Sequence, residues 1–418
     1  MRTRNGIILF FSESVNSLLT MIAGFLIARM LPVAEFGHFT AALSFASIVA
    51  IAVDSGMGML AAKEVARQTP EHREQLDQLY SWRLRVIALA CLVAPLIGFA
   101  VLPKGPARMI LWGLLPGVLL ISVADFFCWI FKGAQRAEWS AVLKISTGVV
   151  LLMTCLLAVF SPRPLVFLAV AYFVTGAALT LIGRVVLARA MHLLHWVRLP
   201  QTFYKQTLPN IYKLGAILIL SVAFSRIDVM MVARILGDVP AGLYAAAARI
   251  VDAIRLVPMV VYSIYLPAFS ALHDQAGALR SAFSGAYGFM FLFGSAIAAV
   301  GSYFAYPLLV TVLGERYGGA AGCFRPLVWT SVLLCTNIVM FALLYSRGDH
   351  RTPLIGISAA IIIQFVLNVI WLPQYGITGA GWARLIAEIV NAGVLATGIW
   401  RSRIFSLARR SAEVSVSA

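Results

Sequence analysis

Apolar runs of about twenty residues recur along the whole chain, separated by short segments rich in Pro, Gly and charge. Each run is long enough to cross roughly 30 Å of hydrocarbon as a helix. Of the 418 residues, 61% are hydrophobic and 12% are charged, whereas soluble domains have roughly 45–50% and 25%. A water-soluble fold cannot bury that much apolar surface, so the sequence predicts an all-α integral membrane protein.

The Pro, Gly and charged residues between the apolar runs divide the chain into twelve predicted spans. They lie near 6–31, 39–62, 83–102, 108–131, 140–160, 164–187, 213–236, 241–268, 283–312, 324–346, 353–373 and 379–400. Most Lys and Arg residues outside the spans fall in the loops on the side of the two termini, which predicts that both termini are cytoplasmic. The net charge of +16 follows this asymmetry, so it indicates topology and not a nucleic acid partner.

An internal repeat links the two halves of the chain. ARMLPVAEFGHFTAA from Ala28 aligns without gaps, at an offset of 205, to ARILGDVPAGLYAAA from Ala233, and six of fifteen positions are identical. Six spans per repeat restore the original direction, so the repeat predicts two parallel six-helix lobes with a substrate path between them. This pattern is typical of transporters.

The repeat sets the predicted domain organisation. The N-terminal lobe covers 1–187, the C-terminal lobe covers 213–401, and 402–418 form a cytoplasmic tail. Between the lobes, 188–212 form a basic amphipathic cytoplasmic linker that either lies on the anionic inner leaflet or acts as a plain tether. His192 and His195 share a helix face there, but they lack the further ligands of a metal site.

Ionisable side chains cluster in the seventh and eighth spans. An ionisable group inside the membrane costs several kcal/mol unless it forms an ion pair or faces water. The cluster consists of Arg226, Asp228, Arg249, Asp252 and Arg255. The last three recur at i, i+3 spacing and form one polar stripe. They either join the two helices as structural ion pairs or offer an excess of guanidinium groups, which bind phosphate by paired hydrogen bonds.

The ionisable groups within the spans of the first half are mainly acidic. Glu13 and Asp54 lie within spans, and a buried carboxylate either carries a proton, ligates sodium or forms a structural ion pair. Both are candidates for ion coupling, with structural pairing left open. Arg384 and Glu388, at i, i+4 on the last span, are predicted to pair with each other. The five cysteines lie in apolar runs without metal-ligand spacing, so no metal or organic cofactor is expected.

Three segments carry a family resemblance: ARMLPVAEFGHFTAALSF, SRIDVMMVARILGDVPAGLYAAAARIVD, and VLGERYGGAA followed by LPQYGITGAGWARLIAEIV. They resemble the polysaccharide-repeat flippases, the O-antigen or exopolysaccharide translocases of Wzx type. That family belongs to the MOP superfamily with the multidrug and toxin extrusion transporters and the lipid II flippase. The chain departs from the family at Pro32 and Val33, where a Gly-Pro pair is common.

The resemblance implies a MATE-like fold in the bacterial inner membrane. It implies alternating-access transfer of an undecaprenyl-diphosphate-linked oligosaccharide to the periplasmic leaflet for O-antigen or exopolysaccharide biosynthesis, coupled to protons or sodium. In that family a cationic cavity receives the diphosphate, and Arg226, Asp228 and Arg249 match its charged positions. The implied partners are the lipid-linked glycan, membrane lipids, a polysaccharide polymerase and a chain-length regulator.

Other functions stay open at this point. Within transport, the alternatives are a multidrug or cation exporter and a lipid II flippase of the same superfamily. Outside transport, the alternatives are a membrane polysaccharide polymerase and an assembly scaffold. A polymerase normally needs a large outer loop with catalytic groups, whereas the predicted outer loops have only a few residues. The sequence therefore predicts a protein that is not an enzyme.

Overall fold

The structure, a computed structural model, describes residues 2–67, 72–191, 195–272 and 275–402, which are almost entirely helical and contain no β-strand. Their α-helices are α1 (Arg2–Met30), α2 (Val33–Asp54), α3 (Met57–Arg67), α4 (His72–Val101), α5 (Pro106–Gly133), α6 (Ala137–Ala158), α7 (Pro164–Met191), α8 (Leu208–Ile235), α9 (Asp238–Ile254), α10 (Leu256–Ala271), α11 (Ala276–Tyr303), α12 (Ala305–Leu313), α13 (Ala321–Ser346) and α14 (Arg351–Arg401). His192 and the predicted tail from 403 onward lie outside the described residues.

Eleven helical segments of the described residues are long and apolar enough to cross a membrane. The last of them, α14, has 51 residues and contains both of the final predicted spans. Its two arms meet at Gly376, whose φ of 58° lies in the left-handed region that favours glycine. Pro373 just before it lacks the N–H of a regular helix. The twelve predicted spans therefore all correspond to helices.

Three predicted spans are interrupted in the structure. The second span breaks after α2, where Ser55 has a φ of 44°. The eighth span breaks at Arg255, between α9 and α10. The ninth span, predicted from its length to be bent or tilted, breaks at Phe304 between α11 and α12. Hydropathy reports how apolar a run is and not the path of its backbone, so it does not reveal the first two breaks. Gly56 and Pro258 stand beside these breaks in the sequence.

Large apolar side chains on the helix surfaces face outward in stripes. On α4, Leu89, Leu92 and Leu96 expose 59%, 72% and 68% of their area at spacings that place them on one helix face. Soluble monomers rarely expose such continuous apolar surface, because water disfavours it. With the length and composition of the helices, these stripes identify a multi-pass membrane protein with lipid-facing surfaces.

The chain divides into two compact units, Met1–Gly242 and Leu243–Ala418. In the first unit, α5 packs against α2, α3 and α7, and α1 packs against α6. This unit also includes α8, because α8 packs against α2 and α3. In the second unit, α13 is central and contacts α10, α11 and α14. The predicted division into repeats at 1–187 and 213–401 stays a prediction.

The described part of the predicted linker docks on α4. The backbone N–H of His195 donates to Asp77 Oδ1 at 2.9 Å, and Arg85 Nη2 donates to the Val197 carbonyl oxygen at 3.0 Å. The Arg85 guanidinium also lies 4.9 Å from the ring centroid of Trp196. These contacts fix the segment that leads into α8 along the first unit.

Candidate substrate and ion sites

The predicted arginine stripe lies on α9 and at its junction with α10. Arg249, Asp252 and Arg255 are all half-buried in the second unit. Arg255 Nε lies 3.2 Å from Asp252 Oδ1, and about a third of each side chain is exposed, 36% and 34%. Arg255 lies at the junction of α9 and α10 and keeps right-handed helical dihedral angles, φ −59° and ψ −18°. Partial exposure allows these groups to meet a ligand as well as each other.

Arg226 and Asp228 lie on α8 in the first unit. Arg226 is half-buried, whereas Asp228 is only 2% exposed. Asp228 Oδ1 accepts a hydrogen bond from the backbone N–H of Val229 at 2.8 Å. The buried carboxylate is thus held by the adjacent peptide group, and Arg226 is the more accessible of the two.

Glu13 belongs to a network of four charges that joins α1, α5 and α6. Lys132 Nζ donates to Glu13 Oε1 at 2.7 Å, and Lys144 Nζ lies 3.8 Å from Glu13 Oε2. Lys144 Nζ also lies 2.8 Å from Asp125 Oδ1. The carboxylates of Glu13 and Asp125 are 40% and 43% exposed, whereas the lysines are 20% and 16% exposed. The two positive and two negative charges of the network balance, and its carboxylates are more exposed than its lysines.

Asp54 has a different environment at the end of α2. It pairs with Arg83, a residue of α4 that is fully buried at 0% exposure. Arg83 Nη2 donates to the carbonyl oxygen of Ser122 at 2.7 Å and to its hydroxyl at 3.1 Å. The guanidinium also lies 5.1 Å from the ring centroid of Phe126. Asp54 therefore neutralises a cation that has no access to solvent.

A second buried ionic centre lies in the second unit. Arg384 Nε and Glu388 Oε1 are 3.8 Å apart with side chains 7% and 3% exposed, so the pairing predicted from their spacing is present. Asn337 Nδ2 on α13 donates to Glu388 Oε2 at 3.2 Å. Gln364 on α14 is 0% exposed, and neither its amide oxygen nor its amide nitrogen has a hydrogen-bond partner. The Asn337 amide oxygen has no hydrogen-bond partner either, so the ionic centre is incompletely hydrogen-bonded.

Sequence reasoning missed Arg83, Asn337 and Gln364. Arg83 stands at the start of an apolar run and resembles a loop cation until its burial is known. Asn337 carries no charge and stands singly in an apolar helix, whereas Gln364 and Asn368 recur at i, i+4, a spacing that predicts a buried polar face. Within the described residues, no group of three or more His, Cys, Asp and Glu could hold a metal ion.

Comparison with solved structures identifies the fold. A multidrug resistance MATE family transporter of the MOP superfamily, in an inward-facing conformation, has a TM-score of 0.73 and 16% identity, with 96% of this chain and 99% of that chain covered. The lipid II flippase MurJ, in an inward closed conformation, has a TM-score of 0.71 and 11% identity, with 95% and 87% covered. At such low identity these likenesses establish the MOP fold alone, which confirms the predicted fold class.

The sequence comparisons establish the family. A search of curated proteins gave no match. The family described as "Polysaccharide biosynthesis protein" matches residues 3–273, well over half of the chain. The resemblance predicted from the three sequence segments is therefore confirmed: the chain belongs to the polysaccharide biosynthesis protein family and has the fold of the MOP transporters.

Proposed function

We propose that the protein is a flippase that moves an undecaprenyl-diphosphate-linked oligosaccharide from the cytoplasmic to the periplasmic leaflet of a bacterial inner membrane. Both termini are cytoplasmic in this proposal, and transfer proceeds by alternating access. The glycan serves O-antigen or exopolysaccharide synthesis, and the polymerase and chain-length regulator of that pathway are the protein partners. No covalent bond changes in this transfer, so no catalytic residue is required.

The observation that carries the proposal is the half-buried arginine stripe of α9. Arg249 and Arg255 flank a single carboxylate, Asp252, within a membrane-spanning segment. A multidrug cation would favour acidic groups at such a position, whereas a diphosphate favours guanidinium groups. We assign the diphosphate to this stripe together with Arg226 and Asp228. The membership in a polysaccharide biosynthesis family supports a glycan as the rest of the substrate.

Membrane electrostatics supports the direction of transfer. A diphosphate carries about two negative charges, and each gains roughly 2.3 kcal/mol per 100 mV when it moves outward across an inside-negative membrane. We propose additional coupling to protons or sodium at Glu13, whose carboxylate is 40% exposed. Asp54 is the weaker of the two candidates, because its neutralisation would leave the fully buried Arg83 uncompensated.

The test is glycan export in cells that depend on this protein. Arg249→Ala and Arg255→Ala are expected to reach the membrane at normal levels and to lower export at least about tenfold, since each loses a charge-assisted contact. Lys variants should retain part of the activity, because they keep the charge without the planar fork. Arg163→Ala, which changes an exposed arginine between α6 and α7, is the control and should export normally.

A charge swap separates a binding role from a structural one. The variant Asp252→Arg with Arg255→Asp preserves the i, i+3 ion pair. A structural role predicts that the swap restores both membrane level and export. Diphosphate binding predicts that the swap restores the membrane level alone. Normal export by both single Ala variants, or drug resistance without glycan export, would refute the proposed function.

A further inference from the structure

Two glycines form a reciprocal backbone contact between the two copies of the sequence repeat. A Cβ atom at Gly37 on α2 would lie 2.0 Å from the carbonyl oxygen of Asp238. A Cβ atom at Gly242 on α9 would lie 2.1 Å from the carbonyl oxygen of Val33. Both distances are far below any real carbon–oxygen contact, so only glycine permits this approach.

The contact is symmetric in sequence as well as in space. The 205-residue offset that aligns Ala28 with Ala233 also pairs Val33 with Asp238 and Gly37 with Gly242. Each glycine therefore contacts the residue that begins the equivalent helix of the other copy. Equivalent residues meet in this way only where a two-fold axis between the copies passes. The reciprocal contact thus joins the starts of the two helices that the repeat makes equivalent.

The contact also has a defined place along the bundle. It lies beside the carboxyl ends of α1 and α8, one helix length away from the amino terminus. One side-chain pair accompanies it, with His38 Nδ1 3.0 Å from Asp238 Oδ1 and without hydrogen-bond alignment. His38 is charged only when protonated. The backbone contacts and the His38–Asp238 pair bring the two helix starts close together.

We propose that this reciprocal glycine contact is the outer gate of the transport path, closed in the conformation described here and parted once in each cycle. The proposal rests on the proposed function for the direction of transport and for cytoplasmic termini. Alternating access requires the path to be sealed at one end at a time. A contact between equivalent residues of the two copies opens when the copies rotate apart, and the His38–Asp238 side-chain pair has to separate with it.

A labelling experiment tests the gate without reference to the substrate. Ala41→Cys reports on the buried face of α2 one turn below Gly37, in a Cys91→Ser background that removes the one cysteine that is not buried. Gly37→Ala and Gly242→Ala should raise its labelling by a membrane-impermeant maleimide from outside about tenfold, because the closed state is overpacked. Gly288→Ala, at a glycine with nothing within 4 Å, should leave the rate unchanged.

Cross-linking gives a second, independent test should the alanine variants fail to reach the membrane. His38→Cys and Asp238→Cys, joined by a short reducible bis-thiol reagent, should block glycan export and recover it on reduction. Arg4→Cys with Glu138→Cys joins two exposed side chains 2.8 Å apart on α1 and α6 and should export throughout.

The results that would refute the gate differ from the results that would refute the proposed function. Unchanged labelling in both alanine variants at normal membrane levels, or continued export while residues 38 and 238 are cross-linked, would overturn the gate. If labelling responds to the glycines but no variant or wild-type protein exports glycan, the gate stands and the proposed substrate is wrong.

Discussion

Each unit buries an arginine–carboxylate pair, and the two pairs differ in how completely their surroundings are hydrogen-bonded. In the first unit, Arg83 contacts Asp54 and also donates twice to Ser122. In the second unit, Arg384 and Glu388 are 3.8 Å apart. The amide oxygen of Asn337, which donates to Glu388 through its nitrogen, has no partner, and elsewhere on α14 the buried Gln364 makes no hydrogen bond.

The difference indicates different roles. The Arg83 guanidinium makes three hydrogen bonds, and only its Nε is left without one. Such an ion pair holds helices in one arrangement, because breaking it leaves a charge in a medium of low dielectric. Buried amides without partners are costly where they are, and in native structures they mark strain, functional sites, or places for water or ions. We therefore interpret the Arg83 centre as structural and the Arg384 centre as the more adaptable one.

The largest expected effect follows from breaking the Arg83 centre. Asp54→Ala should lower the free energy of unfolding by about 3–5 kcal/mol, because it leaves a buried and uncompensated guanidinium. Membrane level and thermal unfolding in detergent measure this loss. The double variant Asp54→Leu with Arg83→Met should recover most of it, since an apolar pair replaces both charges. Equal stability of Asp54→Ala and wild type would contradict the structural role.

A smaller effect of opposite sign is expected at Gln364 on α14. Gln364→Leu should stabilise the protein by about 1 kcal/mol, because it removes two buried polar atoms that make no hydrogen bond. Gln78→Leu is the matched control, since Gln78 Nε2 donates to Glu74 Oε1 at 3.1 Å and should lose stability. If Gln364→Leu is instead strongly destabilising, the amide holds a bound water or ion, and the contrast between the two centres disappears.

The smallest effect concerns a cap that belongs to neither centre. Asp349 Oδ1 accepts hydrogen bonds at 3.0 Å from the backbone N–H groups of Arg351 and Thr352, and Oδ2 accepts one from the Thr352 hydroxyl at 2.6 Å. Asp349→Ala should cost about 1 kcal/mol at neutral pH, as loss of a helix cap does. The loss of stability in Asp349→Ala serves as the reference for the stability changes in Asp54→Ala and Gln364→Leu.

The effect of Asp349 should also depend on pH. Burial raises the pKa of its carboxyl, but the hydrogen bonds from Thr352 and Arg351 outweigh burial and lower the pKa below its ordinary value. A lowered folded-state pKa gives stability that is present above the unfolded pKa and is lost as pH falls through the folded pKa. Thermal unfolding should thus show the gap between wild type and Asp349→Ala closing in acid. A gap that widens would contradict this assignment.

The fold could be predicted from the sequence because hydrophobic length alone specifies spanning helices. The pairing of charges could not, since it depends on helix neighbours that are far apart in sequence. Lys132 lies 119 residues from Glu13, and Arg83 lies 29 residues from Asp54 across a helix break. The arginine stripe was visible because its members lie on one helix. Gln364 and Asn368 stand at i, i+4 in one apolar run, a spacing that predicts a buried polar face although neither residue carries a charge.

The central claim is tested most directly in reconstituted vesicles that contain the purified protein and an undecaprenyl-diphosphate-linked oligosaccharide. An inside-negative potential is imposed, and a glycan-binding lectin outside measures the appearance of the glycan in the outer leaflet. The account predicts rapid appearance with the wild-type protein and appearance at least about tenfold slower with Arg249→Ala and Arg255→Ala. Wild-type vesicles that match protein-free vesicles, or equal rates for wild type and both arginine variants, would contradict it.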